Sequence, residues 1–202
     1  ACLEIGPIFD QLSGEMNLKL SVNISCKQFD QPSLVKRFKS ILDETNFKAA
    51  QLKLEITESI FFEHQEKAIE MLDEIRAMGV EIDIDDFGTG YSNLSYLFRL
   101  PLSTLKIDRS FVSPIKEDGS NTEIVRTVLD LAKNLGLKTV AEGIETDAQF
   151  EALKNLGCDG GQGFLLAKPM DSDDIREFLT GSDRMDNGAI PFDDMPVIAT
   201  VQ

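Results

Sequence analysis

Six short runs in which apolar and polar residues alternate recur along this 202-residue chain, most of them separated by segments long enough for a helix. They are 18–25 (LKLSVNIS), 52–57 (LKLEIT), 80–86 (VEIDIDD), 104–108 (TLKID), 138–144 (KTVAEGI) and, more weakly, 160–165 (GGQGFL). Strand side chains alternate with period 2, so Leu20, Val22 and Ile24 share one face of the first run and Lys19, Ser21 and Asn23 the other. Helical spacing of apolar residues predicts helices over 1–12, 32–46, 63–78, 121–135 and 147–156, with shorter ones at 93–97 and, after a Ser172 cap, at 173–179. Ser13–Gly14 reads as the stop of the first helix, and Gly79, Gly136 and Gly157 close three others just before strands. Strand and helix in alternation, joined by short connections, predict a parallel α/β sheet. Strands of an open doubly wound sheet are covered on both faces and read as continuous apolar runs. Here one face is polar, which predicts a closed barrel with helices outside and a polar upper lumen.

Near the C-terminal ends of these runs, on the polar face, stand Asn23, Glu55, Asp85 with Asp86, Lys106, Glu142 and Gln162. Barrel active sites are assembled at that rim from the ends of several strands. Singly, Asn23 could cap a turn, Glu55 could pair with Lys53 or Lys19, and Lys106 could be a surface lysine. Shared parity and a shared end argue for one site. Oxygen donors without His or Cys suit a hard cation such as Mg2+ or Mn2+, and one more acid than a single ion needs suggests two ions bridged by Asp85. Such a pair could hold a phosphodiester and acidify a water, with Lys106 adding charge or orienting that water. The formal charge of -15 argues against a nucleic-acid polymer as partner. Cys2, Cys26 and Cys158 are scattered without CxxC spacing, indicating neither a disulfide framework nor a zinc site and fitting a reducing, cytoplasmic setting. No 18-residue apolar run or signal pattern is present, so no direct membrane insertion by this piece is expected.

The segments SVNIS (Ser21 to Ser25), LEITES (Leu54 to Ser59), DDFGTGYSNL (Asp85 to Leu94), LKIDRSFV (Leu105 to Val112), AEGIET (Ala141 to Thr146) and GCDGGQGFLLAKPM (Gly157 to Met170) resemble, in order and spacing, the EAL family of cyclic di-GMP phosphodiesterases of bacterial signalling. The resemblance implies a TIM-like (β/α) barrel and metal-dependent hydrolysis of cyclic di-GMP to linear pGpG with two Mg2+ or Mn2+ ions. Asn23 and Glu55 match ligands of one metal, Asp85 the bridging carboxylate, and Asp86 and Glu142 ligands of the other. Lys106 matches the catalytic lysine, and Gln162 a polar residue close to the hydrolytic water. Glu58 matches the glutamate that braces the glycine-rich loop, and Glu145 a residue near the substrate-binding surface. A homodimer through the barrel and that loop is implied as well.

Nothing before Leu18 supplies the family's Glu-Ala-Leu motif, and the chain begins at Ala1 rather than Met. A complete barrel takes roughly 250 residues. The expectation is therefore a barrel incomplete at the N-terminus, with about six of eight strands, cut from a longer parent that could be membrane-anchored upstream. Domain bounds are set at 1–180 for the partial barrel and 181–202 for an acidic tail with no assignable period. Such a piece could be inactive without the upstream strand, and the alternative function is a non-catalytic cyclic di-GMP receptor module. An enolase-like barrel with Lys106 as the base is a third reading, disfavoured because there is no room for a capping domain. His64 is expected to face solvent, and Phe61–Phe62 to lie in a core or interface.

Overall fold

A computed structural model describes residues 2–12, 18–29, 31–58, 65–89, 97–171, 174–175, 177–178 and 198–200. In chain order the elements are α1 (Cys2–Leu12), β1 (Lys19–Ile24), α2 (Cys26–Phe29), α3 (Leu34–Thr45), a 3-10 turn (Ala49–Gln51), β2 (Leu52–Thr57), α4 (Gln65–Ala77) and β3 (Glu81–Phe87). Then come β4 (Thr104–Ile107), α5 (Arg109–Val112), α6 (Glu123–Leu135), β5 (Lys138–Glu142), α7 (Asp147–Asn155), β6 (Gly160–Gln162) and β7 (Ile198–Thr200). The sheet order is β6-β5-β4-β3-β2-β1-β7, and every neighbouring pair is parallel. Strands β1 to β6 thus form a parallel half-barrel flanked by helices, an incomplete (β/α) barrel. Among the described residues no helix is long and apolar enough to cross a membrane.

The apolar strand faces make the core. Leu20, Leu54, Ile56, Ile82, Ile84, Leu105, Ile107 and Ala141 are essentially inaccessible, and Leu72, Ile75, Val125 and Leu153 from the helices are buried with them. Burying each Leu or Ile side chain contributes about 1.5–3 kcal/mol. This layer fixes the register, because a one-residue slip would turn every polar side chain outward.

Several boundaries are shorter than the periodicity predicts, each for a local reason. Strand β5 ends at Glu142 because Gly143 turns the chain at φ 70. Strand β4 ends at Ile107 because Asp108 caps α5, accepting a 2.9 Å bond from the Ser110 amide. Gly79 and Gly136 do adopt the left-handed conformation expected of them, and Asn46 does the same after α3. The expected features at Ser13–Gly14, 93–96, Phe61–Phe62, His64 and Ser172 lie outside the described residues, while 174, 175, 177 and 178 are helical. In the segment without a readable period, Ile198–Thr200 pairs with β1, Lys19 opposite Ile198 and Ser21 opposite Thr200.

Candidate metal centre

Register sorts the polar face into levels. Asn23, Glu55, Asp83 and Thr104 follow one another in register across β1 to β4, one level above Ser21, Lys53 and Glu81. Higher still, Lys106 stands opposite Val140, and Glu142 opposite Gln162 at the mouth. Between β3 and β4 the pairing shifts: Ile84 faces Leu105 and Phe87 faces Ile107, so β3 has three steps where β4 has two. The extra residue is a β-bulge, and Asp86 takes φ 54, a left-handed conformation that Asp tolerates better than most residues. A regular strand would send Asp85 and Asp86 to opposite faces. The bulge instead lets Asp85, Asp86 and Glu142 each bring a carboxylate oxygen within 4.8 Å of the others.

Lys106 holds this group together from below. Its ammonium lies 2.6 Å from Glu142 Oε1, 3.0 Å from Asp85 Oδ1 and 3.1 Å from Glu55 Oε2. Burial alone would pull the Lys106 pKa down. The carboxylates of Glu55, Glu142 and Asp85 overcome that and hold it well above the usual lysine value, so the side chain is charged. Glu142 is raised, first by burial and then by Asp85 and Glu55, with Lys106 opposing. Asp86 is raised by desolvation and by the charges of Asp85 and Asp108. One ammonium therefore faces more carboxylate than it neutralises.

Those residues fit a divalent cation. The donors are carboxylate and amide oxygens, the set that hard cations take. Glu55 is 2 % exposed, and its Oε1 accepts no hydrogen bond from the described residues, nor does the buried Gln162 Oε1. Buried oxygens left this way cost folding energy unless something else meets them.

The remaining predicted residues surround this cluster without joining it. Asn23 is beside Glu55 in register and exposed. Glu58 Oε1 accepts a 2.6 Å bond from the Gly88 amide, tying the end of β2 to the glycine-rich turn. Glu145 lies at the rim in an ion pair with Arg109, 2.8 Å apart. Arg109 was not singled out by the sequence. Its stem covers Gly143 so closely that a Cβ there would sit 2.4 Å from Arg109 Cγ. Nor was the lower layer anticipated: Lys53 and Lys19 pair with Asp83 and Glu81, not with Glu55, which takes Lys106. Lys53 spans its own level and the one above through Glu81 and Asp83, whereas Lys106 reaches down a level to Glu55.

The profile of the EAL domain family matches residues 6–169. The bifunctional diguanylate cyclase/cyclic di-GMP phosphodiesterase MucR of Pseudomonas aeruginosa is 43% identical over 162 residues, 80% of this chain and 24% of MucR. A solved structure described as the PaMucR phosphodiesterase, c-di-GMP complex, aligns with a TM-score of 0.79 at 41% identity, covering 87% of this chain and 70% of that one. Klebsiella pneumoniae BlrP1 in a manganese/cy-diGMP complex aligns with a TM-score of 0.68 at 28% identity, covering 80% of this chain and 41% of that one. The chain spans 24%, 23% and 21% of three curated relatives, about a quarter of their length or less.

Proposed function

The chain belongs to the EAL domain family, and from that premise we propose that it hydrolyses cyclic di-GMP to linear pGpG, using two divalent cations, Mg2+ or Mn2+, at the mouth of its half-barrel. The observation that carries this reading is the convergence of Lys106 with Glu55, Asp85 and Glu142, beside Asp86, at the C-terminal ends of the strands. Complexes of relatives with cyclic di-GMP, one of them with manganese, support the substrate and the metal. Asn23 and Glu55 would hold one ion, Asp86 and Glu142 the other, and Asp85 both. Bound there, the ions would supply positive charge to the phosphodiester and a more acidic water.

The chain's own residues do the rest. Lys106, fixed by three carboxylates, directs a permanent positive charge at the site where negative charge develops. Gln162, at the mouth opposite Glu142, carries an oxygen with no partner among the described residues, able to accept a hydrogen bond from the attacking water and so orient it. Glu145 would lie against the substrate. Glu58 braces the turn after β3, which in a homodimer would link the partner contact to Asp85 and Asp86. The site would act in the cytoplasm.

Incubation with cyclic di-GMP and Mg2+ or Mn2+, with products separated by chromatography, tests the assignment. Linear pGpG that disappears on chelation is the expected result. Tight binding without turnover would identify a receptor module instead, and neither binding nor turnover would remove both. A Glu58→Ala variant should lose about tenfold in turnover at limiting metal while keeping its melting temperature within a few degrees, since one exposed hydrogen bond contributes only about 1–2 kcal/mol. Unchanged metal dependence would take Glu58 out of the loop-bracing role.

A further inference from the structure

Glu55 and Asp83 are neighbours on the same face, partners in the β2–β3 register, and both are almost wholly buried. Two such carboxylates are about 5 Å apart at the backbone. They nevertheless draw on different lysines: Glu55 takes Lys106 from above, whereas Asp83 Oδ2 is held at 2.7 Å by Lys53 from below. The Lys53 ammonium also donates to Thr104 Oγ1 at 3.2 Å and lies 3.5 Å from Glu81 Oε2, while Lys19 binds Glu81 Oε1 at 2.8 Å. Its side chain is 5 % exposed, so solvent does little to weaken these contacts. None of the residues Lys53, Asp83, Glu81, Lys19 and Thr104 has a part in the hydrolysis proposed above.

We propose that Lys53 is a positioning residue that keeps Asp83 out of the metal centre, so that divalent cations are confined to the ring at the mouth. Resting on the metal-dependent reading above, the inference adds a reason for the buried pair. Asp83 Oδ1 accepts no hydrogen bond from the described residues although it is buried. With Lys53 neutralising it, this carboxylate is a poor donor for a further ion. Without Lys53 it would be one more buried carboxylate directly beside Glu55, and would draw a cation inward. The charge of Lys53 and that of Asp83 thus cancel at the floor of the site, and the cations feel only the upper ring.

The consequence is a pair of opposite shifts that a purely structural salt bridge would not give. Titration of the whole chain with Mn2+ by calorimetry should show about tenfold tighter binding, or an additional site, for Lys53→Met, because a buried positive charge near the ligands has gone. Asp83→Asn removes the carboxylate nearest that positive charge, leaving it only the longer contact with Glu81, and should bind Mn2+ about tenfold more weakly. The double variant Lys53→Met/Asp83→Leu removes both charges and should return close to the parent value, since apolar replacement of a buried pair is often tolerated. Single variants that shift affinity in the same direction, or leave it unchanged, overturn the inference. Should Lys53→Met not fold, the near-isosteric Asp83→Asn decides: parent-like Mn2+ affinity overturns the inference. A parent chain that binds no Mn2+ defeats the metal reading itself, a distinct outcome.

Discussion

Lys106→Met is expected to lose about 10³-fold or more in turnover of cyclic di-GMP while binding divalent cations at least as tightly as the parent. The two halves of that expectation come from one geometry. The Lys106 side chain is 3 % exposed and its ammonium lies within 3.1 Å of three carboxylates, so it is a fixed charge, not a mobile surface lysine. General acid–base and electrostatic contributions of one positioned group amount to about 10²–10⁴-fold. Its removal also frees Glu55, Asp85 and Glu142 from a competing cation, which favours metal. Without divalent ions the same variant should be less stable by about 3–5 kcal/mol, because a broken buried pair leaves its partners uncompensated. Thermal unfolding with and without Mn2+ reads that term, and the deficit should shrink when Mn2+ is present. Arg is not expected to rescue turnover, since a planar guanidinium cannot place one point charge among three carboxylates. Turnover within about tenfold of the parent would exclude Lys106 from the chemistry.

The strands and the residues at their ends could be read from the sequence because both follow local rules. Period 2 gave the polar face of β1 to β5, and the glycines at 79 and 136 marked where helices stop. What escaped that reading depends on pairs distant in sequence. That Glu55 and Asp83 would be neighbours yet belong to different ion-pair layers requires the register of β2 against β3 and the reach of Lys53 and Lys106. The bulge that aims Asp85 and Asp86 at one point appears only when β3 is laid beside β4. Arg109 was missed because nothing in DRS signals contact with Gly143 and Glu145 on another strand's loop. Likewise, three residues near the C-terminus pair with β1 over a separation that no periodicity spans. In each case the decisive contact is long-range, and the local composition carries no mark of it.

A second large effect, on the fold itself, is expected from Gly163→Ala, directly after the last strand of the site. A Cβ there would stand 2.2 Å from both the nitrogen and the oxygen of Ile144, and 2.7 Å from its carbonyl carbon. These are backbone atoms of a fully buried residue, so no side chain can swing aside to make room. The same backbone is fixed by two hydrogen bonds: the Ile144 amide donates to Gln162 O at 3.1 Å, and Ile144 O accepts from Leu165 N at 3.0 Å. Admitting a methyl group means breaking one or both, and that moves Gln162 on one side and the Glu142–Ile144 loop on the other. The expected cost is about 3 kcal/mol or more, roughly 6–12 °C in melting temperature for a domain of this size. Mn2+ affinity and turnover should fall with it, because Glu142 and Gln162 are register partners at the mouth. Gly157→Ala is the matched control: Gly157 has φ 81, but a Cβ there meets nothing within 4 Å. It pays only for the left-handed backbone, about 1–2 kcal/mol, and should leave metal binding intact. Equal melting temperatures for the two variants would show that the approach of Gly163 to Ile144 is looser than 2.2 Å implies, and the site would then owe its geometry to the β3 bulge and Lys106 alone.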